Sequence, residues 1–242
     1  IVVAAGDPRR TLVELLHAPP ATARALVERW RTRPVREGYE SKVDAVIDVL
    51  PRPRGLVAEH LDVLGVDEVL HATMVVAPGL DAIAAAHRTA AHGGVAQEPL
   101  HLSNVPSVLD PSVAPPGGGH VFSLETLFTP YRLNGGWQDS GEPERWLAAF
   151  ARLMEPGFLG GIRRHRLVGP EDYERDFSMP AGYAPSFAGG PLAALVGRDR
   201  ELTRYATPVP GLYLTGSGTF PGAGVSGAPG RNAARVVLAA VR

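Results

Sequence analysis

The sequence contains no cysteine, which excludes disulfides, thiolate metal ligands and a cysteine nucleophile. That absence fits a reducing compartment, and the expected location is the cytoplasm. Lysine is almost as scarce. Lys42 is the only one, so nearly all positive charge is arginine and a Schiff-base mechanism would have a single side chain to use. No apolar run approaches the ~20 residues of a spanning helix. Excess charge is missing too. A formal net charge of −1 gives no electrostatic reason to expect nucleic acid or an anionic membrane as a partner.

What is present is an ordinary globular composition. Hydrophobic residues make up 45% and charged residues 20% of 242 positions, enough for one large domain or two modest ones with their own cores. The chain opens on Ile1-Val2-Val3-Ala4-Ala5, an apolar run of buried-strand type. Termini are usually polar and exposed, so this opening reads as a strand cut from something longer.

Periodicity gives the remaining elements. After a turn at Gly6-Asp7-Pro8 a helix is expected from about Arg9, and a second over 21–31, where Ala23, Leu26, Val27 and Trp30 fall at helical spacing. Residues 42–50 alternate, with Val43, Ala45, Ile47 and Val49 on one face and Lys42, Asp44 and Asp48 on the other, as in a half-buried strand. Helices are expected at 54–64 and 79–92 around a strand at 71–76. Strands follow at 100–104 and 121–128, joined by a turn-rich loop over 110–119 that is either a substrate entrance or a rigid connector. Trp146, Leu147, Phe150 and Leu153 make one stripe of a helix at 142–155. A strand at 162–168 precedes a short helix with Pro170 in its first turn. A surface loop is expected at 178–191, then a strand at 212–214 and a helix over about 226–241. Strands and helices mix without regular alternation, which predicts an α/β or α+β fold with a mixed sheet.

The segment 211–234 carries most of the chemistry. A strand runs into glycines and then into a helix of small residues. Glycine lets backbone N–H groups approach a ligand closely, and a helix start adds unpaired donors and the positive end of its dipole. Together they suit an electron-rich or anionic group. Gly222-Ala223-Gly224-Val225-Ser226-Gly227 matches G-x-G-x-x-G in letters only. The dinucleotide fingerprint must directly follow a strand and open a βαβ unit, and here it does neither. Neither Ser217 nor Ser226 lies in a G-x-S-x-G elbow. A tight strand-to-helix crossing with no ligand is the alternative.

The same segment resembles the C-terminal flavin motif of the phytoene-desaturase-like, amine-oxidase-related FAD oxidoreductases, roughly G-L-Y-L-x-G-x-x-T-x-P-G-x-G-V-x-G-A-P-G-x-N-A-A. Every fixed position is present. The stretches 2–8, 106–117 and 169–175 are similar to further motifs of that group, in the same order. The resemblance implies an FAD-binding domain built from both ends of a longer chain, with a substrate domain inserted between. Here it implies the end of a flavin-domain strand at 1–8, a substrate-binding domain at 9–205 and the returning flavin segment at 206–242. It places Gly216 and Ser217 along the ribityl and phosphate part of FAD. It places backbone amides of Gly224, Val225, Ser226 and Gly227 at the pyrimidine edge. Phe220 departs from the family, where a His is common, and the N-terminal fingerprint that would grip the ADP half is absent.

The implied function is that of the C-terminal part of a desaturase- or dehydrogenase-type enzyme acting on a largely apolar small molecule, inactive without the missing N-terminal half. A non-catalytic binding module is the alternative. No catalytic acid or base is assigned, because in this class the flavin does the redox chemistry. No metal site is expected, since His87 and His92 are five apart rather than four. The basic cluster Arg163-Arg164-His165-Arg166 reads as a solvated face, with a peripheral membrane contact as the alternative. An apolar face left uncovered by the missing half would favour a homo-oligomer.

Overall fold

The computed structural model describes residues 1–56, 68–187, 190–197, 199–224 and 226–241. In chain order its main elements are strand β1 (Val2–Ala4), helix α1 (Arg24–Thr32), β2 (Glu40–Ile47), β3 (Met74–Val76), α2 (Leu80–Ala91), β4 (Leu100–Asn104) and β5 (His120–Leu127). Then come α3 (Glu142–Ala151), β6 (Ile162–Val168), α4 (Pro170–Phe177), β7 (Leu212–Leu214) and α5 (Ala228–Ala240). The α/β class expected from the sequence is borne out. Parallel and antiparallel pairing are separated between two sheets rather than mixed in one.

Two compact units form, one of Glu37–Gly182 and one of Ile1–Arg36 with Tyr183–Arg242. These boundaries differ from the expected 9–205 insertion. The stretches 9–36 and 183–205 fold with the chain ends, because Leu12, Leu26, Trp30 and Leu202 share one buried cluster with Leu214.

The 37–182 unit is a five-stranded sheet in the order β3-β4-β5-β2-β6, antiparallel at every pairing. Alternation along β2 buries Ser41, Val43, Ala45 and Ile47 and leaves Glu40, Lys42, Asp44 and Val46 half-buried on the opposite face. The buried face packs on α3 through Trp146, Leu147 and Phe150. Phe122, Phe150 and Phe158 meet there at centroid distances of 5.2–5.7 Å. The pairing of β2 with β6 shifts register between Val46 and Ile47 and β2 ends at Ile47, so Val49, expected on the core face, lies beyond the strand and is 38% exposed. The stripe on α3 likewise stops short, since the helix ends at Ala151 and Leu153 is 47% exposed. Most of the helix expected at 54–64 lies outside the described residues.

In the other unit, β1 pairs in parallel with β7 in the register Val2↔Leu212, Val3↔Tyr213 and Ala4↔Leu214. The apolar run at 1–5 is not buried: Val2 is 60% and Val3 47% exposed. Parallel strands are ordinarily covered on both faces, and β1 has β7 as its one strand neighbour among the described residues. The helix expected near Arg9 is a π-type turn at Arg10–Glu14, begun by Asp7, whose side chain accepts from the Arg10 N–H at 2.7 Å. The expected loop at 178–191 gives way to a short helix at Gly190–Val196. Among the described residues no helix is long and apolar enough to cross a membrane.

Candidate functional site

The glycine-rich crossing begins where β7 leaves its partner. The Thr215 N–H donates to the Ala4 carbonyl at 2.8 Å and closes the parallel pairing. The next residue, Gly216, has φ +89°, and a Cβ there would lie 2.6 Å from the Ala5 carbonyl oxygen. Glycine at 216 is therefore required by the strand crossing itself. Gly218 is under similar pressure, since a Cβ would meet the Pro8 ring at 3.0 Å.

A compact bend follows. The backbone N–H and the hydroxyl of Thr219 both donate to the Gly216 carbonyl, at 3.0 and 2.8 Å. The Gly222 N–H donates to the Thr219 carbonyl at 2.8 Å. The Ser217 carbonyl accepts from the Phe187 N–H at 2.9 Å, and Ser217 itself is exposed. Phe220, at the position where the family often has a His, sets its ring edge-on to Phe187 at 5.7 Å.

Sequence reasoning missed two residues that hold this bend to the last helix. Tyr205, only 4% exposed, donates its hydroxyl to the Phe220 carbonyl at 2.6 Å. Asn232, on α5, donates its side-chain amide to the Tyr205 hydroxyl at 2.8 Å. The asparagine stood in the motif as a fixed letter. Its distant partner carried no local signal.

Entry into α5 is different in kind. Gly224 has φ +143° and Gly227 φ +65°, and a Cβ at either would meet nothing within 4 Å. Both are exposed. Gly227 caps the thirteen-residue α5, whose first turn carries no acidic residue. Pro229 removes one first-turn donor, and the Ser226 hydroxyl accepts from the Ala228 N–H at 3.3 Å. Val225 lies outside the described residues. Of the six expected site residues, Gly216 and Ser217 sit in the bend after β7, and Gly224, Ser226 and Gly227 on the approach to α5, all in one unit.

These features fit an electron-rich group such as a flavin. The backbone at Gly224 and at Gly227 is open, and the helix start at Gly227 bears no competing carboxylate. Thr215, only 8% exposed, has a hydroxyl with no hydrogen-bond partner among the described residues, a group that ordinarily requires one.

Three of the four residues in the basic cluster have internal partners. Arg163 donates to Asp48 at 2.8 Å and to the carbonyls of Gly117 and Gly118 at 3.3 and 3.0 Å. His165 meets Glu144 at 3.1 Å, and Arg166 meets Asp44 at 3.2 Å. Arg163 thereby pins the 110–119 loop, and Gly119 lies so close that a Cβ would be 2.7 Å from the Ile47 carbonyl. The loop is fastened to the sheet. His92 is engaged locally, at 2.8 Å from the Arg88 carbonyl, and His87 sits edge-on to Phe128.

A five-stranded antiparallel sheet in one unit, and in the other a parallel strand pair that feeds a glycine-rich crossing, are consistent with part of an FAD-type oxidoreductase fold. Comparison with known proteins narrows the class. Over 157 residues the chain is 41% identical to pyridine nucleotide-disulfide oxidoreductase domain-containing protein 2 of Mus musculus, a stretch covering 61% of this chain and 26% of that protein. It is 30% identical over 141 residues to a lycopene-forming phytoene desaturase of Pantoea ananas, covering 57% of this chain and 28% of the desaturase. A neurosporene-forming phytoene desaturase of Rhodobacter capsulatus is 29% identical over 137 residues, 55% of this chain and 25% of that enzyme. The matched stretches thus span about a quarter of each relative's length. No protein-family model matches the chain. The relatives bear out the likeness to phytoene-desaturase-like oxidoreductases.

Proposed function

We propose that this chain is the C-terminal part of an FAD-dependent oxidoreductase of desaturase or dehydrogenase type, acting on a largely apolar small molecule. The observation that carries the proposal is the crossing from β7 to α5, with open glycine backbone at 224 and 227 beside a helix start free of carboxylates. On this reading Gly216 and Ser217 hold the ribityl and phosphate part of FAD, and the amides of 224–227 hold the pyrimidine edge. A flavin held by these residues would supply the redox chemistry, hydride removal from the substrate. The chain's own part is electrostatic. The positive end of the α5 dipole favours negative charge at that edge. The hydrogen bonds from Asn232 through Tyr205 to Phe220 keep the bend and the helix in register.

The chain has no fingerprint for the ADP half, so on this proposal it turns over no substrate without an N-terminal dinucleotide-binding segment. The exposed strand β1 is the surface that such a segment would extend. The test is to purify the protein from its native gene, weigh it and record its absorbance. A longer chain with flavin bands near ~370 and ~450 nm is the expected result. A product of this size that takes up no added FAD would leave the crossing as a packing device and make a non-catalytic binding module the better reading.

A further inference from the structure

The face of the five-stranded sheet turned away from α3 carries a depression of about 960 Å³, lined from β2, β4, β5, β6 and α4. Its composition is uneven. Lys42, Arg164 and Arg166 are its arginine and lysine cations, and Asp44 and Glu125 its carboxylates. Val46, Val121 and Pro106 contribute apolar surface, and Phe177, 64% exposed, stands beside Tyr173 at a centroid distance of 6.1 Å.

The charges are not evenly matched. Lys42 lies 3.1 Å from one oxygen of Asp44 and Arg166 lies 3.2 Å from the other, so two cations share one carboxylate. The Ser123 hydroxyl donates to Asp44 as well, at 3.2 Å. Arg164 has no ion-pair partner among the described residues. The register places it opposite Val46, two pairs along from Arg166 opposite Asp44, on the same face. Glu125 lies opposite Lys42, four residues along β2 from Val46. That is roughly 13 Å at the usual rise, about a screening length. The Arg164 end of the depression is therefore positive, and apolar side chains flank it.

A lone surface arginine would mean nothing. An unmatched guanidinium at one end of a concave surface with an exposed aromatic wall defines a complementary ligand. We propose that this depression binds an organic monocarboxylate with an apolar body, Arg164 holding the carboxylate and Val46, Val121, Pro106 and Phe177 contacting the rest. Guanidinium is suited to this role, since its planar fork meets a carboxylate through two parallel N–H donors. The inference rests on the proposed reading of the chain as part of an oxidoreductase acting on a largely apolar small molecule, and it gives that molecule an acidic head.

The test uses the 242-residue chain and two probes of equal length, octanoate and its neutral analogue octanamide, compared by titration calorimetry. Octanoate is expected to bind about 10- to 100-fold more tightly, the range of a charge-assisted hydrogen-bonded contact. Arg164→Gln should abolish that preference, and Arg164→Lys, which keeps the charge but loses the fork, should keep only part of it. Arg164 is exposed, so neither change should disturb the far-ultraviolet circular dichroism. Equal binding of the two probes, no binding of either, or an unchanged preference in folded Arg164→Gln would overturn the proposal. FAD uptake by the native gene product is measured separately, so failure of the flavin reading and failure of this one are distinguishable.

Discussion

Tyr205 and Asn232 lie 27 positions apart and are joined by a 2.8 Å hydrogen bond, and the same tyrosine hydroxyl donates to the Phe220 carbonyl at 2.6 Å. One phenol thus connects the glycine-rich bend to the helix that follows it. Tyr205→Phe leaves the carbonyl and the asparagine amide without this partner. The expected loss is about 1–3 kcal/mol in urea unfolding. A loss below about 0.3 kcal/mol would mean that solvent replaces the hydroxyl and that the link is ornamental.

Glycine substitutions should separate by position. Gly216→Ala forces a side chain to φ +89° and against the Ala5 carbonyl at 2.6 Å, so a cost of about 2–4 kcal/mol is expected. Gly230→Ala meets nothing within 4 Å and lies in α5. It should be neutral or stabilising by up to about 1 kcal/mol. Thermal unfolding of the two variants reads the contrast directly, and equal effects would refute the crossing geometry.

The core of the 37–182 unit makes a third comparison. Phe150 is fully buried against Phe122 and Phe158, and Phe150→Ala should cost about 3–5 kcal/mol. Leu153, on the same sequence stripe but 47% exposed, should cost less than about 1 kcal/mol when changed to Ala. Chemical denaturation of both tests whether the helix face ends where the structure ends it.

The half-buried Glu40 and the buried His101 give opposite pH slopes. The Glu40 carboxyl is pushed up to about 7 by burial and then by the neighbouring Glu125, so the folded state holds its proton more firmly than the unfolded chain does. Its effect is to lower stability as pH rises from about 4.5 to 7. Glu40→Gln should therefore be more stable than the parent at pH 8, with the difference vanishing near pH 4. The His101 imidazole is lowered to about 4 by burial and by Arg145, so it contributes stability above its ordinary value of 6.5 that is lost as pH falls toward 4. Urea midpoints measured for parent and His101→Gln between pH 4 and 8 check the second slope. A difference independent of pH would assign His101 a packing role alone.

Legibility followed the range of the interaction that decides each feature. The strands β4, β6 and β7 were placed to the residue, because alternation and flanking turns are local. The short helices at Pro106–Leu109 and Arg200–Thr203 were not anticipated. Four-residue turns leave too little periodicity to read, and they are held by partners elsewhere: Ser107 accepts from the Val121 N–H, and Glu201 accepts from Arg29 and Trp30. The burial of β1 was misjudged for a related reason. An apolar strand advertises what it can pack against, not what stands beside it.

By itself the sequence determined the α/β class, the positions of most strands, the core stripe of α3 as far as Phe150, and the glycine-rich crossing with its likeness to phytoene-desaturase-like oxidoreductases. These rest on periodicity and on residue types that only certain backbones accept, and both are written along the chain. Tertiary structure alone decided that 9–36 and 183–205 fold with the chain ends and that Tyr205 secures the bend at Phe220. It also decided that Gly216 answers to Ala5, and that Lys42 and Arg166 share Asp44 while Arg164 has no carboxylate among the described residues. Each depends on groups far apart in sequence meeting in space, and no local pattern encodes such a meeting.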